Sequence, residues 1–150
     1  MRHLAVALAV LLMGCGAQDP APYLATLDGL SLPPSWEVAS TEVESQDGSN
    51  GCIEAVNLHC PSVTRYLLVS GELTDVLDQV KAALGEGSFR DIEVHSPACD
   101  STLSGPRCSM TGTKEGMVIQ VNIYPPGEDV DQLGLSRLDL AMVRLILSRN

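Results

Sequence analysis

Two stretches of the chain alternate apolar and polar side chains, which is the period of a β-strand with one buried face. The clearer one is residues 117–124, where Gln120 and Asn122 fall opposite the apolar side. Residues 89–95 repeat the pattern with Glu93 on the polar side. We predict a one-sided strand at each place. The apolar positions are Met117, Ile119, Val121 and Ile123 in the first stretch and Ile92 and Val94 in the second.

Three further strands are predicted from less regular patterns. Residues 63–70 contain a run that is apolar on both faces, as in a central strand. Residues 35–44 alternate weakly and contain the single tryptophan, Trp36, which is a candidate for the core. Residues 107–113 lead through a short turn into the clearest strand.

The stretch after residue 72 has the spacing of a helix instead. Its apolar residues predict an amphipathic helix over residues 75–84. Thr74 is expected to be the N-cap, and Gly85 is expected at the C′ position that ends the helix. The apolar positions are Leu73, Val76, Leu77, Val80 and Leu84.

The C-terminal segment is compatible with both periods. Residues 138–147 are apolar enough for a helix or a strand, and Ser136 with Asp139 resembles a capping pair. Because Leu138, Met142 and their neighbours also fall at heptad-like spacing, we predict a helix, with a strand as the alternative.

Together these elements predict an α+β fold, in which an antiparallel sheet of four to five strands has one or two helices packed on one face. Polar residues such as Glu93, Gln120 and Asn122 are expected on the other face. Residues 32–150 suffice for a single domain with its own core, and the chain has no internal repeat.

The N-terminal residues 1–14 have the build of a secretory signal. Arg2 precedes an apolar run over residues 4–13, and the small residue Gly14 follows it. The run is about half as long as the ~20 residues that a membrane-spanning helix needs. We therefore expect an export signal and not a permanent span.

Residues 12–15, with the letters LMGC, resemble the lipobox of bacterial lipoproteins. The resemblance implies that Cys15 is acylated and becomes the first residue of a protein anchored to a membrane of the cell envelope by its N-terminal lipid, facing outside the cytoplasm. An ordinary cleaved signal is the alternative. Residues 15–31 would then form a lipidated tether, in which Tyr23, Leu24 and Leu27 can form a short docking turn of helix.

Four cysteines remain once Cys15 is assigned to lipid: Cys52, Cys60, Cys99 and Cys108. An even number in an exported chain indicates disulfides, and the spacing favours two local bonds, Cys52–Cys60 and Cys99–Cys108. Zinc sites with His59 or His95 are the rival interpretation. The ligand spacing is too wide for the usual pairs of a structural site, so we expect no metal.

The charge of the chain bears on its partners. The formal net charge is −10, and the nine lysine and arginine residues are scattered. Such a chain repels nucleic acid, so we expect no nucleic-acid partner.

No sequence motif for nucleophilic catalysis or phosphate binding occurs in the chain, and no cofactor is expected. We predict a non-enzymatic envelope lipoprotein that binds another protein through a sheet face or edge. One alternative is a small envelope hydrolase that uses His59 or His95. The other is a binder of cations or small ligands that uses acidic residues such as Glu128, Asp129 and Asp131.

Overall fold

The computed structural model describes residues 19–44, 62–99 and 105–149, and within them it contains six strands in one antiparallel sheet. The expected α+β class is confirmed, but the sheet has six strands where four or five were expected. The strands are β1 (Glu37–Glu44), β2 (Ser62–Val69), β3 (Arg90–Val94), β4 (Cys108–Lys114), β5 (Met117–Tyr124) and β6 (Ala141–Arg149). The helices are α1 (Ala21–Asp28), α2 (Leu73–Glu86) and a short 3-10 helix at Val130–Gln132.

The strand order is β1-β2-β6-β5-β4-β3, and every neighbouring pair is antiparallel. The last four strands form a meander, and α2 connects β2 to β3 at the far edge. Between β4 and β5 the turn has only two residues, Glu115 and Gly116, both with positive φ. This is the hairpin turn whose twist matches that of the strands.

The predicted C-terminal helix is wrong, because those residues form β6. Ala141–Arg149 pairs with β2 on one side and β5 on the other. Val143, Leu145 and Leu147 are fully buried on the face toward the helices, and Met142 is buried on the opposite face. A strand buried on both faces does not alternate, so its sequence also fits a helix.

Both helices pack on the same face of the sheet and share one core with it. From α1, Tyr23 and Leu27 are buried there, so residues of the expected tether belong to the folded domain. The side chain of Arg65 on β2 forms an ion pair with Asp28 at 2.7 Å, which ties the end of α1 to the sheet. Trp36 is partly buried against this core.

The limits of α2 differ from the expected ones. The helix begins at Leu73, with Glu72 as its N-cap and no capping side chain, so Thr74 lies inside the first turn. At the other end, Gly85 is still helical. Ser88, with a φ of 65°, takes the left-handed position and lets the N–H of Phe89 donate to the Leu84 carbonyl.

The second face of the sheet, opposite the helices, is covered at one end by residues 125–140. Leu133, Leu135 and Leu140 pack there against a smaller cluster that includes Tyr66. Asn122 was expected on an exposed polar face, but only 6% of it is exposed. Gln120 is exposed as expected.

Candidate functional site

The edge strand β1 carries the most exposed apolar surface of the sheet. Val38 is 56% exposed and Val43 is 43% exposed, and both lie opposite core residues of β2, namely Leu67 and Val63. The two valines therefore lie on the face where the helices pack, but outside the area that the helices cover. Among the described residues, β1 pairs only with β2.

Three glutamates occupy the other side of β1. Glu37, Glu42 and Glu44 are all exposed and lie on the second face, by their register with β2. The Tyr66 hydroxyl donates to Oε2 of Glu42 at 3.4 Å, and Oγ of Ser62 donates to Oε2 of Glu44 at 3.3 Å. Both hydroxyls belong to β2, so these bonds tie the two carboxylates to the neighbouring strand.

Arg65, which lies opposite β1 on β2, forms its ion pair with a carboxylate outside β1. Arg65 forms its ion pair with Asp28, and its Nε donates to Oγ1 of Thr41 at 3.3 Å. In the part of the chain that the structure describes, no basic side chain lies within ion-pair distance of Glu42 or Glu44. The second-face side of this edge therefore carries a row of exposed carboxylates.

The backbone of β1 is irregular at one point. The pairing with β2 shifts register between Val38 and Ser40, whereas Ser40 to Glu44 pair without a break. An edge strand presents alternate N–H and C=O groups away from its neighbour, and these can pair with another extended chain. The unbroken segment is the part of β1 best suited to such pairing.

The opposite edge, β3, is less suited to strand pairing. It has five residues and a bulge at which Asp91 takes a φ of 49°. Only Glu93 and Val94 pair with β4 in unbroken register, and short, bulged edges resist the addition of a strand. The two edges of this sheet therefore differ in what they can bind.

A polar cleft of about 550 Å³ lies beyond β3, around the β4–β5 turn. Its polar groups bond mainly to one another. Oγ1 of Thr113 donates to Oδ2 of Asp91 at 3.0 Å, and Nζ of Lys114 donates to the Gly87 carbonyl at 2.8 Å. The cleft is lined by Ser88, Arg90, Asp91, Thr113, Lys114, Glu115 and Gly116.

Of the cysteine predictions, the Cys99–Cys108 disulfide is confirmed, with 4.6 Å between the Cα atoms. It joins the segment after β3 to the first residue of β4 and so crosslinks the β3–β4 hairpin. Cys15, Cys52 and Cys60 lie outside the described residues, so lipidation and the second disulfide stay predictions.

Among the candidates for catalysis or cation binding that the structure describes, no set is brought together. His95 is exposed, with Nε2 at 3.2 Å from Oγ1 of Thr111, and His59 lies outside the described residues. Glu128 and Asp129 accept hydrogen bonds from backbone N–H groups of their own surroundings, those of Gly105 and Gly134. Within residues 19–44, 62–99 and 105–149, no three metal-binding side chains converge.

The sequence located the strand that carries the candidate site but not the site itself. Residues 35–44 were predicted as a strand, but that prediction did not place the strand at an edge of the sheet. The weak alternation and the density of acidic residues were the available signal, because charge on a strand is typical of edges.

The chain matches no protein-family model, no curated protein and no solved structure. In the part of the chain that is described, none of the helices has the length and apolar character needed to span a membrane.

Proposed function

We propose that this chain is a lipid-anchored, non-enzymatic binding domain of the bacterial envelope, and that β1 is the element that receives its protein partner. The observation that carries the proposal is the exposure of Val38 and Val43 on an edge strand that pairs with one neighbour among the described residues. An extended partner segment would continue the sheet and bury both valines.

Strand addition accounts for affinity and specificity at the same edge. Main-chain hydrogen bonds to Ser40–Glu44 contribute affinity that does not depend on the partner's sequence. The side chains of β1 determine which partner segment binds. Burial of an exposed valine contributes up to about 1.5 kcal/mol, so the two valines alone give a modest but useful driving force.

The anchor completes the proposal. The lipobox resemblance at residues 12–15 places the lipid on Cys15, and the Cys99–Cys108 disulfide is typical of an oxidising compartment outside the cytoplasm. A second disulfide, Cys52–Cys60, belongs to the same proposal. A membrane-bound chain meets envelope partners at high local concentration, which suits an edge of modest intrinsic affinity.

Photo-crosslinking in intact cells tests the binding element. A photoreactive residue at Val43 is expected to form one discrete crosslink to an envelope protein, and the same residue at Gln79, which is exposed on α2, serves as the matched control. The crosslink from Val43 should disappear when Thr41 is replaced by proline, which disrupts strand pairing. Equal crosslinking from Val43 and Gln79 would contradict the proposal.

The anchor is tested separately by replacing Cys15. The Cys15→Ser variant is expected to lose metabolic labelling by palmitate and to leave the membrane fraction, whereas Cys52→Ser keeps both properties. Palmitate incorporation that survives Cys15→Ser would refute the anchor while leaving the role of β1 open to the crosslinking test.

A further inference from the structure

The chemistry of β1 narrows the kind of segment that can pair with it. On the unbroken part of the strand, Glu42 and Glu44 lie on the second face with Val43 between them on the helix face. Residues directly opposite each other in an antiparallel pair have Cβ atoms about 5 Å apart on the same face. A partner segment must therefore match this order of charge, apolar side chain and charge.

We propose that β1 binds an extended segment in which an aliphatic residue stands between two lysine or arginine residues, paired antiparallel with Ser40–Glu44. The inference rests on the proposed function and adds the class of partner. The aliphatic residue lies opposite Val43, and the two basic residues lie opposite Glu42 and Glu44.

Charge complementarity favours this occupant. Among the described residues, Glu42 and Glu44 have no basic side chain within ion-pair distance, and the chain as a whole has a net charge of −10. The carboxylates of Glu42 and Glu44 stay exposed, although each accepts a hydrogen bond from a hydroxyl of β2. An approaching cationic segment is therefore attracted over a distance and then meets two exposed acceptors.

The same charges disfavour a second copy of the chain. If two copies paired antiparallel with Val43 opposite Val43, Glu42 of each copy would lie opposite Glu44 of the other. Like charges directly opposite each other destabilise a strand pair. The glutamates thus act against self-association and in favour of a basic partner.

Titration of the purified full chain in uncharged detergent micelles tests the inference. The probe is a short blocked peptide that alternates lysine and valine, observed by amide chemical shifts and by fluorescence anisotropy. We expect saturable binding with shift changes concentrated at residues 40–44. A peptide with the same side chains but with alternate backbone nitrogens methylated should bind at least about tenfold more weakly, because it cannot complete the strand ladder.

Charge reversal gives the second arm. The double variant Glu42→Lys/Glu44→Lys is expected to bind the lysine–valine peptide at least about tenfold more weakly and to gain binding of a glutamate–valine peptide. The matched control is Asp78→Lys/Glu86→Lys, which changes the net charge equally at exposed positions of α2. This control is expected to change the affinity by less than about twofold at physiological salt.

Several results would overturn the inference. They are equal binding of the methylated peptide, equal weakening by the control variant, or concentration-dependent dimers of the chain that Glu42→Lys/Glu44→Lys abolishes. A segment crosslinked from Val43 that lacks the basic alternation would also defeat it while leaving the proposed function intact. Absence of any specific crosslink from Val43 would defeat the proposed function itself.

Discussion

Gly85 and Gly87 lie close together at the end of α2 but differ in the free space around them. A Cβ added at Gly85 would meet nothing within 4 Å, whereas one added at Gly87 would lie 2.9 Å from Cδ2 of Leu30 and 3.2 Å from the Ala83 carbonyl oxygen. Gly87 is therefore the point where the C-terminal end of α2 approaches the segment that follows α1.

These surroundings predict opposite effects of the same substitution. Gly85→Ala should raise the free energy of unfolding by about 0.5–1 kcal/mol, because alanine restricts the unfolded chain and favours the helix. Gly87→Ala should lower it by about 1 kcal/mol, because the added methyl group overpacks the contact with Leu30. Urea unfolding of both variants checks this, and a shift in the same direction for both would contradict it.

The Cys99–Cys108 disulfide is the second residue-scale feature with a measurable consequence. On the chain-entropy model, a bond between residues nine apart is worth about 2–3 kcal/mol. The Cys99→Ala/Cys108→Ala variant should lose that amount in urea unfolding. A reducing agent should destabilise the natural chain by at least this amount, because it also reduces the disulfide that we propose between Cys52 and Cys60.

The control for the disulfide prediction is the variant itself under reducing and non-reducing conditions. If reduction lowers the free energy of unfolding of the variant further, that additional change comes from the remaining cysteines alone. An unchanged free energy of unfolding in Cys99→Ala/Cys108→Ala would show that the bond does not stabilise the β3–β4 hairpin.

At the scale of elements, α1 is part of the fold and not part of a flexible tether. Leu27 is 1% exposed beneath the helix, and Asp28 next to it forms the ion pair with Arg65. The helix covers the core over β2 and β6, at the side of the sheet that α2 leaves uncovered. The folded domain therefore needs residues that precede position 32.

Truncation of the Leu27 side chain tests this role. Leu27→Ala should lower the free energy of unfolding by about 2–4 kcal/mol, because it leaves a cavity in a packed core. Leu138→Ala is the matched control, since Leu138 is 92% exposed and its truncation should change stability by less than about 0.5 kcal/mol. Comparable losses in the two variants would show that α1 does not pack as described.

Local patterns predicted the elements in which apolar and polar side chains lie on different faces. The alternation in residues 117–124 correctly gave β5 and the face on which Ile119 and Val121 lie, and the apolar spacing before Gly85 correctly gave α2. These predictions succeed because apolar side chains stand on one face and mainly polar ones on the other, which gives the sequence one visible period.

The prediction failed for β6, which is buried on both of its faces. β6 lies between β2 and β5, so apolar residues on both of its faces mask the period of two. Arg137 and Asp139, which fell in an apparent helix start, instead form a local ion pair at 3.4 Å in the turn before β6. Partners that are distant in sequence decided between strand and helix, and no local window contains them.

At the scale of the whole molecule, the sheet has one edge suited to pairing and one edge that resists it. The candidate site depends on this asymmetry, which follows from strand order and could not be read from residues 35–44 alone. What the sequence did supply was the composition of the site, since Val43 between Glu42 and Glu44 is visible without a structure. The strand order places this alternating sequence at an exposed edge of the sheet.

Amide hydrogen exchange tests most directly whether β1 receives the partner. Exchange in residues 40–44 is measured for the natural protein in isolated envelopes and for the purified chain in uncharged detergent. We predict that some of these amides exchange at least about tenfold more slowly in envelopes, while the amides of α2 exchange equally in both. Equal exchange rates of the amides of residues 40–44 in the two samples would show that β1 receives no partner in the envelope.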